Sequence, residues 1–373
     1  MNHQNNCSKI SSITDYQHKS IIPFAINFVI INTIIVFVTF VSGLVLMTVG
    51  DIFLFGSSVA AQETVADIHD SEFITLENHN GYVLFAAFSP DSKNIVTADK
   101  DNTIRIFETE TGKELQKFER NIDFVLSAMF FPDGKTVFTI KRHNDNIARI
   151  EDAATGKELQ KFKGHTHYLF SAMFSPDAKM IVTTSGDKTA RIWDVKTGKE
   201  LQKLEGHTHS VYSAAFSADT KMVVTTSGDG TARIWDVETG KELQKLEGNT
   251  GWVYSAMFSP DGKKVVTANE DNTARIWETA TGKELQKLEG HTQTVRSAAF
   301  SPDNETVITA SLDKTARIWE TSTGKELQKF ETYKPVRLVT FSPDSKMIVI
   351  VNVSRIVQVW NITNLEYHTE KNK

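Results

Sequence analysis

The 373-residue sequence has one cysteine, Cys7, so it can build neither an intrachain disulfide nor a cysteine-based zinc site. It also lacks a basic excess. Its 41 Lys and Arg stand against 46 Asp and Glu, and four of the five net negative charges fall before residue 73. The remainder is near neutral, which argues against nucleic acid as a partner. No Gly-x-Ser-x-Gly, P-loop or His-Glu-x-x-His string occurs, so no nucleophile, phosphate cradle or metal-bound base is named by motif. The expectation is therefore no catalytic residue, no metal and no cofactor, in a fold that stands on packing alone.

Charge is missing altogether from Ser20 to Gly50, where most positions are Ile, Val, Phe, Leu or Met. That is enough for one transmembrane helix, which needs about 20 residues. Lys9 and Lys19 precede the run, and the next basic residue is Lys93. Because positive charge stays cytoplasmic, residues 1–20 are expected inside, residues 21–49 as a signal-anchor helix, and the rest as the extracytoplasmic part of a single-pass membrane protein. The alternative is a long signal peptide cleaved near Ala60, after Ser58-Val59-Ala60, releasing a secreted chain. Residues 50–72, small and acidic, read as a linker, and residues 367–373 as a tail.

What the sequence has in abundance is repetition. TGKELQK recurs with its glycine at Gly112, Gly156, Gly198, Gly240, Gly282 and Gly324, the last four intervals being 42 residues each. A Phe-x-Pro-Asp-like element closes a strand at Phe88, Phe130, Phe174, Phe216, Phe258, Phe300 and Phe341, which gives seven units. The period excludes helical repeats of about 33 or 34 residues. Each unit consists of short β-branched or aromatic runs split by Pro-Asp-Gly, Gly-Asp and Thr-Gly turns, as four strands require. A single four-stranded sheet cannot bury both faces, so the units must pack face to face in a ring. The expected fold is all-β, a seven-bladed β-propeller of four-stranded antiparallel blades over residues 73–366, preceded by one apolar helix.

Gly206-His207, Thr225, Asp229 and Trp235-Asp236 resemble the WD-repeat (WD40) signature, and the resemblance covers residues 73–361. It implies that a buried His, Thr, Asp and Trp are hydrogen-bonded within each blade. Complete sets are His165, Thr183, Asp187 and Trp193; His207, Thr225, Asp229 and Trp235; and His291, Thr309, Asp313 and Trp319. The first unit has His79, Thr97 and Asp101 but Phe107 for Trp, and the fifth has Asn249 for His. The second and seventh units lose most of the set, so these two blades are expected to be the least stable. The resemblance also implies that residues 73–78 supply the outer strand of the last blade and latch the ring.

His165 with His167, and His207 with His209, could meet one zinc, but no third ligand stands at a fixed spacing in both units. A His-Thr-Asp set repeated from unit to unit serves structure, whereas catalysis needs one asymmetric site. The Thr-Gly-Lys-Glu tips read as solvated hairpin ends whose charge discourages edge pairing. Departures between units are more telling. Five residues beyond the Gly-His histidine stand Leu84, Leu126, Phe170, Tyr212, Tyr254, Arg296 and Arg337. Two residues earlier Tyr82, Phe124, Tyr168 and Trp252 add aromatics. The resemblance places these positions at the top mouth of a central channel. Aromatic and arginine side chains anchor binding surfaces, although the same residues could simply pack between blades. The expected function is a non-catalytic protein–protein interaction scaffold, membrane-tethered or exported, with a monomeric propeller that binds a protein or peptide through Phe170, Tyr212, Tyr254, Arg296, Arg337, Tyr82, Tyr168 and Trp252. The alternatives are a propeller hydrolase or lyase acting at the channel mouth, or a passive self-associating surface protein.

Overall fold

A computed structural model describes residues 29–31, 34–41, 44–48, 73–119, 124–130, 137–142, 146–152, 154–155 and 157–363. The chain divides into two compact units, residues 1–62 and 63–373.

In the first unit Val29–Ile31, Ile34–Val41 and Leu44–Thr48 form a three-stranded antiparallel sheet. This corrects the expected apolar helix over residues 21–49. The run is dominated by Val, Ile, Thr and Phe, whose branched or bulky side chains lose rotamer freedom in a helix and fit a pleated sheet. Among the described residues no helix is long and apolar enough to cross a membrane, which overturns the single-pass anchor through residues 21–49 and the extracytoplasmic placement built on it. The cleavage alternative at Ala60, the cytoplasmic segment 1–20, the linker 50–72 and the tail 367–373 lie outside the described residues.

The second unit is all β. We number its blades by their innermost strands: Val83–Phe88 for blade 1, Phe124–Phe130 for blade 2, Leu169–Phe174 for blade 3, Val211–Phe216 for blade 4, Val253–Phe258 for blade 5, Val295–Phe300 for blade 6 and Val336–Phe341 for blade 7. In blades 1 to 6 each is followed outward by three strands paired antiparallel in chain order. In blade 4 these are Met222–Ser227, Ala232–Asp236 and Glu242–Leu246. The expectation of seven complete blades behind a helix is corrected here too. Six blades are described from end to end, whereas the sheet over residues 124–162 is described only in part, without residues 131–136 and 143–145.

The turns follow from local chemistry. In blade 4 the Asp219 carboxylate accepts from the Ser217 hydroxyl at 2.7 Å and from Lys221 N at 3.1 Å, closing the first hairpin. At the next hairpin but one, Asp236 accepts from Thr239 N at 2.8 Å, and Gly240 takes a φ of +69° that side-chain-bearing residues rarely adopt. The Asp of each Trp-Asp pair is thus a turn cap.

Second and third strands are buried on both faces, and every pair of neighbouring sheets encloses an apolar cluster. Ala215, Val224, Ile234, Val253, Val265 and Trp277 fill the space between blades 4 and 5. The ring closes in the same way. Leu76, Val83, Ile95 and Phe107 pack with Val349, Val351, Val357 and Val359 between blades 1 and 7. Phe73–Leu76 is the fourth strand of blade 7, pairing antiparallel with Val357–Asn361 in the register Leu76 to Val357 and Phe73 to Trp360.

Candidate functional site

Three blades carry the same buried hydrogen-bond chain. In blade 4, His207 Nδ1 lies 2.8 Å from Asp229 Oδ2, His207 Nε2 lies 2.8 Å from Thr225 Oγ1, and Trp235 Nε1 donates to that hydroxyl oxygen at 2.8 Å. Blade 3 joins His165 to Asp187 and Thr183, and Trp193 to Thr183, each at 2.8 Å. Blade 6 joins His291 to Asp313 at 2.9 Å and to Thr309 at 2.7 Å, with Trp319 donating to Thr309 at 2.8 Å. One proton assignment satisfies every atom. Nδ1–H donates to Asp, the Thr hydroxyl donates to Nε2, and the hydroxyl oxygen accepts from Trp. Burial works against the Asp229 charge, but hydrogen bonds from His207, Thr231 and Thr208 N outweigh it and hold the carboxyl well below its usual range. The preceding Gly206 has a φ of +153°, and a Cβ there would meet Arg233 Nη1 at 2.6 Å and the Trp235 ring at 3.3 Å.

The incomplete blades are rewired only in part, and Asn249 Oδ1 in blade 5 and Trp360 Nε1 in blade 7 stay buried without a hydrogen-bond partner. In blade 5, Trp277 still donates to Thr267 at 3.0 Å, while Asp271 turns to Arg275 at 2.7 Å. In blade 1, His79 reaches Thr97 at 3.1 Å, but Asp101 caps Thr103 N at 3.1 Å instead of holding the imidazole. A fully buried Asp99 takes Arg105 as its partner there. Burial pushes the Asp99 carboxyl up to about 7 against the pull of Arg105. Burial and the Arg105 charge together push His79 down to about 4. The sequence reading missed Asp99, although its signal was available. Blades 3, 4 and 6 place Ser185, Ser227 and Ser311 at that position.

A second feature missed from the sequence is the arginine two residues before each Trp. Arg191, Arg233 and Arg317 reach Glu200, Glu242 and Glu326 of the outer strand at 2.7, 2.6 and 2.6 Å. The glutamate of the Lys-Glu tip is thus a partner of a largely buried guanidinium. The outer-strand glutamine also ties blade to blade, as Gln160 donates to the Lys196 carbonyl at 3.0 Å and Gln244 to the Ala280 carbonyl at 2.7 Å.

The divergent mouth residues are brought together into one chain of rings. Tyr168 and Phe170 meet edge-on at 5.2 Å, and Phe170 and Tyr212 edge-on at 5.1 Å. Tyr212 then stacks on Tyr254 at 6.1 Å and touches Trp252 at 5.7 Å. The Arg296 guanidinium lies 3.9 Å from the centre of the Tyr254 ring. Burial lowers the Arg296 pKa, with Tyr254 opposing the shift. Burial and the neighbouring Arg296 charge bring Arg337 down to about 9, still cationic at neutral pH. Burial, then the Tyr254 neighbour, push the Tyr212 hydroxyl up. Glu270, exposed, is pinned by accepting from Trp252 N at 2.9 Å.

Phe170, Tyr212 and Tyr254 retain only 6%, 8% and 8% exposure, so they form the wall, while Tyr168 at 38% supplies an open face. Tyr82 stands apart from this chain, with Lys100 Nζ 6.0 Å from its ring centre. The side chains of Phe124 and Leu126 lie outside the described residues. His165 and His207 are engaged within their blades, His167 lies against Tyr168, and His209 faces the Thr208 hydroxyl at 3.2 Å. Among the described residues no group of three or more His, Cys, Asp or Glu is placed to hold a metal.

Comparison with known proteins adds sequence evidence. The model of the WD40 family, described as "WD domain, G-beta repeat", matches residues 71–108, 156–194, 198–236, 240–278 and 282–320, together just over half of the chain. The chain is 34% identical over 84 residues to the eukaryotic translation initiation factor 3 subunit I of Phaeosphaeria nodorum, covering 22% of this chain and 25% of that protein. It is 39% identical over 66 residues to a WD repeat-containing protein of Synechocystis sp., covering 17% of this chain and 19% of that protein. The match therefore spans a quarter or less of each relative.

Proposed function

This chain belongs to the WD40 family, and from that premise we propose that it is a non-catalytic interaction platform which binds a protein or peptide partner at the channel mouth of blades 3 to 7. WD40 propellers generally mediate protein–protein contacts. The observation that carries the reading is the unbroken series Tyr168, Phe170, Tyr212, Trp252, Tyr254 and Arg296, in ring-to-ring or cation-to-ring contact. Such surfaces anchor partners through large desolvated area and through the planar guanidinium fork. Two half-buried arginines beside an aromatic wall fit a segment that offers an apolar or aromatic anchor followed by a carboxylate. One relative is by name a subunit of an initiation factor, and membership of an assembly is consistent with a binding role here.

The test is affinity capture with the full-length chain, comparing wild type with Trp252→Ala and Arg296→Ala and with the tip variant Lys199→Ala as control. Anchor residues typically contribute 2 kcal/mol or more, so a loss of about 30-fold in affinity is expected for each mouth variant. Partners held equally well by all four proteins would overturn the assignment.

A further inference from the structure

The seams between blades differ on the channel-mouth side. Between blades 4 and 5 the Asn249 side chain donates to the Gly230 carbonyl at 3.4 Å. Between blades 5 and 6 Asn272 donates to the Thr292 carbonyl at 3.4 Å. Between blades 6 and 7 the Thr332 amide and hydroxyl both donate to the Lys314 carbonyl, at 2.8 and 3.0 Å. At the closing seam, between blades 7 and 1, the corresponding link is a long backbone bond from Val83 N to the Ser354 carbonyl at 3.5 Å. Beside it opens a cleft of about 310 Å³ lined by Gly81, Tyr82, Lys100 and Asp101 of blade 1 and Arg355 of blade 7.

Charge in this cleft is unbalanced. Lys100 and Arg355 are both exposed, and among the described residues neither forms an ion pair; Lys100 Nζ lies 6.0 Å from the centre of the Tyr82 ring. Asp101 is the single carboxylate in the lining, and its Oδ1 is committed to Thr103 N at 3.1 Å. Two cations reach the space from opposite blades, one a planar fork and the other a point charge. A phosphoryl group has three or four oxygens and up to two negative charges to share between two cations, where a carboxylate has two oxygens and one charge. The volume is that of roughly ten waters, enough for a phosphoryl group whether free or carried on a side chain.

We propose that this cleft is a binding site for a phosphate-class oxyanion held between Lys100 and Arg355, whose occupancy ties the last blade to the first. The Coulomb energy is screened at an open site, so affinity is modest, but any ligand that binds only the closed ring stabilises it by mass action. The site does not depend on the aromatic mouth of blades 3 to 6.

The experiment titrates the full-length protein with inorganic phosphate, and in parallel with a phosphoserine pentapeptide, at ionic strength held constant with NaCl. Melting temperature and binding heat are read together. A saturable rise in melting temperature is expected, with affinity at least fivefold weaker in Lys100→Gln and Arg355→Gln, partly restored in Arg355→Lys and strengthened in Asp101→Asn. Trp252→Ala should bind phosphate as wild type does, which separates this site from the channel mouth. Tighter binding of the peptide would assign the source to a phosphorylated chain, and equal binding to the free ion; both support the site. A rise that never saturates and is the same in every variant is the general effect of a kosmotropic salt and would overturn the proposal.

Discussion

A single hydroxyl decides how well a blade holds together. Thr225 Oγ1 takes both His207 Nε2 and Trp235 Nε1, all three buried. Thr225→Val keeps the shape and removes both bonds at once, leaving two buried nitrogens without a partner. At about 1–3 kcal/mol for each unsatisfied group the variant should lose about 2–6 kcal/mol. Thr97→Val in blade 1 should lose about half as much, because Phe107 brings no indole to that site. Denaturant unfolding of the two variants measures the difference, and equal losses would contradict the shared-hydroxyl account. The sequence placed these atoms well, since identical units expose the fixed spacing of His, Thr, Asp and Trp. It hid Asp99, because one acidic residue at an otherwise small polar position looks like a surface substitution until burial and Arg105 are seen around it.

Elements that repeat were legible and elements that occur once were not. The β-branched and aromatic runs split by turns read as four strands per unit, and the WD-repeat resemblance implied that residues 73–78 supply the outer strand of the last blade. The apolar segment before residue 50 misled, because absence of charge is common to a membrane helix and to a buried or paired strand, and only the Val, Ile and Thr content separates them. The Glu of each tip was misread for a related reason. Its arginine partner lies nine residues upstream, across a hairpin, where neither helical nor strand periodicity pairs them. The latch strand offers the sharpest check at this scale. Leu76 is fully buried between blades 1 and 7, so Leu76→Ala should cost about 2–5 kcal/mol. Because it acts at the closing seam, the loss should accompany faster amide exchange in Val357–Asn361 while Ala232–Asp236 stays protected. Uniform acceleration in both strands would show that the latch does not open first.

At the scale of the molecule the ring has one covalent discontinuity, and its strength is tested by closing it. Thr75 and Gln358 are directly paired across the latch, a geometry in which antiparallel Cα separations of about 4.5–5.5 Å suit a disulfide. Arg233 and Lys245 occupy the same register positions within blade 4. A Thr75→Cys, Gln358→Cys pair spans 283 positions of the chain and an Arg233→Cys, Lys245→Cys pair spans 12, both made with Cys7→Ser. Comparing each variant oxidised and reduced cancels what the substitutions themselves remove, including the Arg233–Glu242 ion pair. In the chain-entropy account the long loop gains roughly 3 kcal/mol more than the short one. The same crosslink should abolish the part of the phosphate-induced rise in melting temperature that comes from holding blades 7 and 1 together, while leaving phosphate affinity unchanged or stronger. An oxidised ring no more stable than the short crosslink would mean that unfolding starts inside a blade, and the closing seam would then have no special place in the stability of this propeller.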